Sequence, residues 1–126
     1  MFMLTDEEKE LVKYLLQLRK RQVIVEGRKD KEVLVKLGFK KVITLTGKSL
    51  YECASLCKEN VVILTDFDRK GEEIAKKLEL FLGKSDGNTR NTLRRLFKAN
   101  KLNTVEGLKK LVRKVVEYGK IGPDSR

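Results

Sequence analysis

Val61-Val62-Ile63-Leu64-Thr65-Asp66-Phe67-Asp68-Arg69-Lys70-Gly71 opens as a short apolar, β-branched run, ends abruptly in two carboxylates and leads into a helix. The spacing predicts a strand over 60–65 and a helix over 70–82, closed by Gly83. A strand with no polar alternation is covered on both faces, as in a parallel sheet. Upstream, residues 22–25 form a similar run that ends at Glu26-Gly27, and residues 41–45 form another that ends at Thr46-Gly47. Helices are expected between them at 29–37, closed by Gly38, and at 48–58. The pattern is β-α-β-α-β-α, an α/β fold wound by right-handed crossovers. Before it, Thr5 with Glu8 three residues on is a capping box for a helix over 5–20. After it come a loop over 84–88 and two helices, 89–99 and 104–118, the second with Asn103 and Glu106 as its expected capping box. One domain spanning 1–126 is expected.

In an open parallel sheet, ligands sit beyond the carboxyl ends of the strands. All three strand ends here hold chemically notable residues. Asp66 and Asp68, two apart on extended backbone, point the same way. Paired carboxylates repel unless a cation or proton separates them, and Mg²⁺ with its preference for oxygen fits. The competing reading is a helix cap, which suits Asp68 in particular. Glu26 completes an acidic cluster or serves as a general acid or base, against the plainer alternative of an exposed loop acid. Gly27 gives room for a sharp turn or a close ligand. Gly47-Lys48-Ser49 resembles the end of a P-loop, but the required earlier glycine would fall at Val42 inside a strand, so that motif is rejected, and Gly47 is left either as backbone or phosphate room beside the acids or as a plain strand-to-helix turn. Arg28, Lys29, Lys48, Arg69 and Lys70 ring the acids with positive charge, as a polyanionic substrate would need.

The charge balance points the same way. The 126 residues hold 29 Lys and Arg against 18 Asp and Glu, a net charge of +11 with pI near 9.7. Residues 1–83 hold 17 basic and 14 acidic groups, and residues 84–126 hold 12 and 4, so the excess is concentrated in the last third. Arg90, Arg94 and Arg95, with Lys109, Lys110, Arg113 and Lys114, are expected to hold a nucleic-acid backbone there. Two cysteines and no histidine argue against a structural zinc site and for free thiols in a reducing compartment. No signal-like or membrane-spanning apolar stretch is present in the sequence, so a cytoplasmic location is expected.

The stretches Val23-Ile24-Val25-Glu26-Gly27-Arg28-Lys29-Asp30 and Val61 to Gly71, with Thr44 to Gly47 between them, together resemble the Toprim domain. That domain is shared by topoisomerases, DnaG-type primases, recombination-repair proteins, some nucleases and the ribonuclease that matures 5S ribosomal RNA. The resemblance implies a three-layer, Rossmann-like Toprim fold with a short, mainly parallel sheet over about 22–83. An N-terminal helix would precede it, and a two-helix C-terminal extension would follow over about 84–118. It implies Glu26 as general acid or base and additional metal ligand, and Asp66 and Asp68 as Mg²⁺ ligands. Arg69 would approach phosphate, and Gly27 and Gly71 would provide tight backbone geometry. Asp30 matches an acid often found after Glu-Gly in small Toprim proteins. Tyr14, Tyr51 and Tyr118 lack the setting of a topoisomerase nucleophile, and no zinc-binding or helicase-docking part of a primase is present in this sequence. The pattern is closest to the small Toprim proteins related to the 5S-maturing ribonuclease. A Mg²⁺-dependent nuclease or related phosphotransfer enzyme, a hydrolase of RNA processing acting on structured RNA or DNA, is therefore expected. The rivals are a non-catalytic nucleic-acid or ribonucleoprotein docking module and a nucleotide phosphotransfer enzyme.

Overall fold

A computed structural model describes residues 4–58, 60–83 and 87–118. The elements are α1 (Asp6–Gln17), β1 (Val23–Val25), α2 (Arg28–Lys36), β2 (Val42–Thr44), α3 (Leu50–Ser55), β3 (Val62–Ile63), α4 (Arg69–Leu82), α5 (Gly87–Ala99), a 3₁₀ turn (Glu106–Leu108) and α6 (Lys109–Tyr118). Each β-to-α alternation falls where the sequence places it. Thr5 Oγ1 accepts from the Glu8 N–H at 3.0 Å while Glu8 returns the bond to Thr5, so the first helix begins at its capping box. Ser49 and Glu52 form the same reciprocal pair at α3, which is shorter than the 48–58 expected. Among the described residues no helix is long and apolar enough to cross a membrane.

The three strands form one parallel sheet in the order β2-β1-β3. Val23 aligns with Val42 on one side and Val62 on the other. Alternation along the strands sorts their side chains into two cores. Val23, Val25, Val62 and Leu64 join Leu11, Leu15, Leu34, Phe97 and Leu108 on one face. Ile24 and Ile63 join Cys53, Ala75 and Leu78 on the other. Helices α1, α2, α5 and α6 therefore cover one side and α3 and α4 the other, a three-layer α/β/α arrangement. The helices beyond residue 83 are built into the larger core through Leu93, Phe97, Leu111 and Val112.

Two expectations give way. The last helix does not start at an Asn103–Glu106 capping box. Thr104 Oγ1 accepts from the Gly107 N–H at 3.1 Å, a 3₁₀ turn follows, and α6 begins only at Lys109. Of the expected loop at 84–88, residues 84–86 lie outside the described residues, and Gly87 and Asn88 already belong to α5.

Candidate functional site

The connections from β1 and β3 leave the sheet on opposite faces: α2 packs in the larger core, and α4 in the smaller. The crevice between the carboxyl ends of these adjacent strands is the switch point at which such sheets bind ligands. Glu26 follows β1 directly, and Asp66 and Asp68 follow the β3 segment. The Asp66 N–H donates to Glu26 Oε2 at 2.8 Å, which ties the two strand ends together. Asp66 Oδ1 accepts from the Val105 N–H at 2.9 Å, bringing the start of the C-terminal segment over the crevice. Between the two aspartates, Phe67 turns inward onto Phe97, with ring centroids 4.9 Å apart, and its N–H donates to the Asn103 carbonyl. Asp68 Oδ1 accepts from the Gly71 N–H at 2.8 Å, so Asp68 is the N-cap of α4. The cap reading of Asp68 is thus realised, with its second carboxylate oxygen left outside that bond.

An open pocket of about 520 Å³ lies over the crevice, lined by Glu26, Gly27, Asp30, Asp66, Thr104, Glu106 and Gly107. Burial pushes the Asp66 carboxyl above its ordinary range. The Val105 N–H opposes this, while the neighbouring Glu26 and Asp68 charges add to it. Asp30, at 9% exposure, is raised first by burial and then by Asp66 and Glu106, although Gly27 donates to it at 3.0 Å. The pocket gathers four carboxylates, Glu26, Asp30, Asp66 and Glu106.

An all-carboxylate donor set suits a hard divalent ion such as Mg²⁺. Glu26, Asp66 and Asp68 each commit one oxygen to a backbone N–H, which fixes the side chain and leaves the other oxygen for a ligand. Among the described residues no three His, Cys, Asp or Glu side chains already close around one point.

The flanking residues divide. Arg28, Lys29, Lys48, Arg69, Lys70 and Arg95 are exposed. Among the described residues Arg69 pairs only with Glu73, at a long 3.7 Å, on a side chain 95% exposed. Arg90 is a correction. It is 6% exposed, so it cannot lie along a nucleic-acid backbone. Its guanidinium donates to the carbonyls of Ile63, Thr65 and Asp66 at 3.0–3.1 Å and to Glu72, and it stacks on Phe67 at 4.4 Å. Arg94, 40% exposed, holds the same Glu72 through both Nε and Nη2. These bonds hold the Glu72 carboxyl at about 2, well below its ordinary value, with the Arg94 bond the largest cause. The sequence does contain the signal: Arg90 stands three and seven residues before the buried Leu93 and Phe97, on one helical stripe.

The glycines divide too. Gly47 has φ 74°, a conformation that favours glycine. Gly71 faces the Asp66 backbone so closely that a Cβ would lie 2.9 Å from the Asp66 Cα and nearer still to its carbonyl. Gly27 has extended backbone, and a Cβ there would meet only Asp30 Oδ2 at 3.8 Å, so the expected special geometry is not required. Sequence reasoning missed Glu106 and Thr104, which reach the pocket only because the chain returns from α5 to the sheet edge.

The comparisons with known proteins agree with this arrangement. The sequence profile of the Toprim domain matches residues 21–100. A UPF0292 protein of Thermococcus gammatolerans is 43% identical over 101 residues, 75% of each chain. One of Thermococcus onnurineus is 40% identical over the same length and shares. A solved structure of a protein from Aquifex aeolicus superposes with a TM-score of 0.65 at 31% identity, covering 79% of this chain and 95% of its own. With its matched span, its sheet order and its acids at the switch point, the chain belongs to the Toprim domain family.

Proposed function

We propose that this chain is a Mg²⁺-dependent nuclease, which narrows to phosphodiester cleavage the metal-dependent, nucleic-acid-related function that goes with the Toprim domain. The observation that supports it most is the bond from the Asp66 N–H to Glu26 Oε2, which brings a proton carrier and a metal-ligand candidate to one crevice. Asp66 and Asp68 would hold the ion through the oxygens left outside their backbone bonds. Bound there, Mg²⁺ would polarise the scissile phosphate and steady the leaving oxygen. Glu26, oriented by its bond to Asp66, takes a proton from the attacking water or returns one to the leaving oxygen through its other carboxylate oxygen. Arg28, Lys29, Arg69 and Lys70, exposed around the crevice, neutralise substrate phosphates. Asp30 and Glu106 add negative charge to the same pocket and hold anions off until a cation is bound.

An end-labelled panel of structured RNA, single-stranded DNA and duplex DNA tests this reading. It is incubated with Mg²⁺, with chelator, and with the Asp66→Asn and Glu26→Gln proteins. Cutting is expected to require Mg²⁺ and to fall by about 10²-fold or more in each variant. Binding without cutting by the wild type would instead favour a docking module. Turnover of free nucleotides alone would favour a nucleotide phosphotransfer enzyme.

A further inference from the structure

The acidic pocket repels polyanions, so a substrate strand must reach it across cations. Helices α2 and α6 both begin at that pocket, which Asp30 of α2 and Glu106, just before α6, help to line. From there the two helices run in contact and enclose a groove of about 330 Å³. Glu106 lines both spaces, so the groove lies beside the acidic pocket. Lys29 and Lys36 on one rim and Lys109 and Arg113 on the other are exposed, and among the described residues none forms an ion pair. Buried Val33 and Val112 contribute an apolar floor. Glu32, Glu106 and Glu117 also line the groove, so its four cations exceed its acids by one.

We propose that this groove seats a short unpaired stretch of nucleic acid next to the phosphodiester held in the acidic pocket. The proposal rests on the nuclease reading above and names the form of its substrate. Lys29 and Lys36 are two helical turns apart, roughly 10 Å along the axis, enough for a few nucleotides of one strand. The groove, about 330 Å³ in volume, is far smaller than a paired duplex, whose major groove alone is about 12 Å wide. Cations on both rims meet phosphates, as in single-strand grooves, and half-buried Val116 offers an apolar contact to a sugar. The site therefore selects substrates in which the strand beside the cleaved bond is unpaired.

Fluorescence anisotropy tests this with a fluorescein-labelled single-stranded oligonucleotide and with the same strand annealed to its complement. Wild type is compared with K36E/R113E, with the milder K36A/R113A and with K76E/K77E, an equal charge reversal on the exposed face of α4. Melting curves check that each protein is folded. Expected are tighter binding of the single strand by wild type, and its weakening by about tenfold or more in K36E/R113E. A smaller loss in the same direction is expected in K36A/R113A, and a change within about threefold in K76E/K77E. Equal losses in the two charge reversals, or a wild-type preference for duplex, overturn the groove assignment. Cleavage that needs Asp66 but ignores K36E/R113E overturns the groove alone. Failure of wild type to bind either probe overturns the groove together with the nuclease reading.

Discussion

A methyl group at residue 71 has nowhere to go. The first turn of α4 presses against the Asp66 main chain, Thr65 Oγ1 donates to the Gly71 carbonyl at 2.7 Å, and the Gly71 N–H donates to Asp68. One glycine thus sets both the seat of the helix and the orientation of two acids. Gly71→Ala is expected to cost about 3 kcal/mol or more in urea unfolding, because backbone rather than a flexible side chain must move. Glu26, Asp66 and Asp68 were legible in the sequence because each follows an apolar strand, and a strand end fixes position without knowledge of the rest of the chain. Asp30 was legible only through the resemblance. Glu106 was misread, since the Asn103–Glu106 spacing imitates a capping box while the actual turn is closed by Thr104.

Helix α5 acts as a clamp on the strand that carries the aspartates. Arg90 enters from it to hold the carbonyls of 63, 65 and 66, and Glu72 of α4 answers it together with Arg94. The Glu72 carboxyl titrates near 2 in the fold, below its ordinary 4.5. A lowered carboxylate contributes stability that is complete above the unfolded value and disappears as the pH falls through the folded one. The clamp therefore weakens between about pH 4.5 and 2. Glu72→Gln is expected to lose about 3 kcal/mol at neutral pH, because buried Arg90 keeps its charge without a carboxylate. The variant's stability should also vary less with pH across that window, as read by chemical unfolding at several pH values. The element order was legible because capping residues and glycines punctuate the apolar runs. The role of Arg90 was missed, although it shares a helical stripe with Leu93 and Phe97, because an arginine is ordinarily solvent-exposed.

At the scale of the molecule, function follows from topology. Strand order β2-β1-β3 sends the chain to opposite faces of the sheet after β1 and β3, which leaves a crevice where their acids meet. The basic excess of the last third was legible as charge but not as place: Arg90 turns inward, while Lys109 and Arg113 border the groove beside the acidic pocket. The central claim is that Asp66 and Asp68 bind Mg²⁺. Calorimetric titration of Mg²⁺ into wild type, Asp66→Asn and Asp68→Asn tests it most directly. Asparagine keeps the oxygen that accepts each backbone N–H, and it caps helices as well as aspartate does, so folding is preserved. The account predicts that Mg²⁺ affinity falls by about tenfold or more in each variant, with melting in chelator no lower than that of wild type. Variants that titrate like wild type would contradict it.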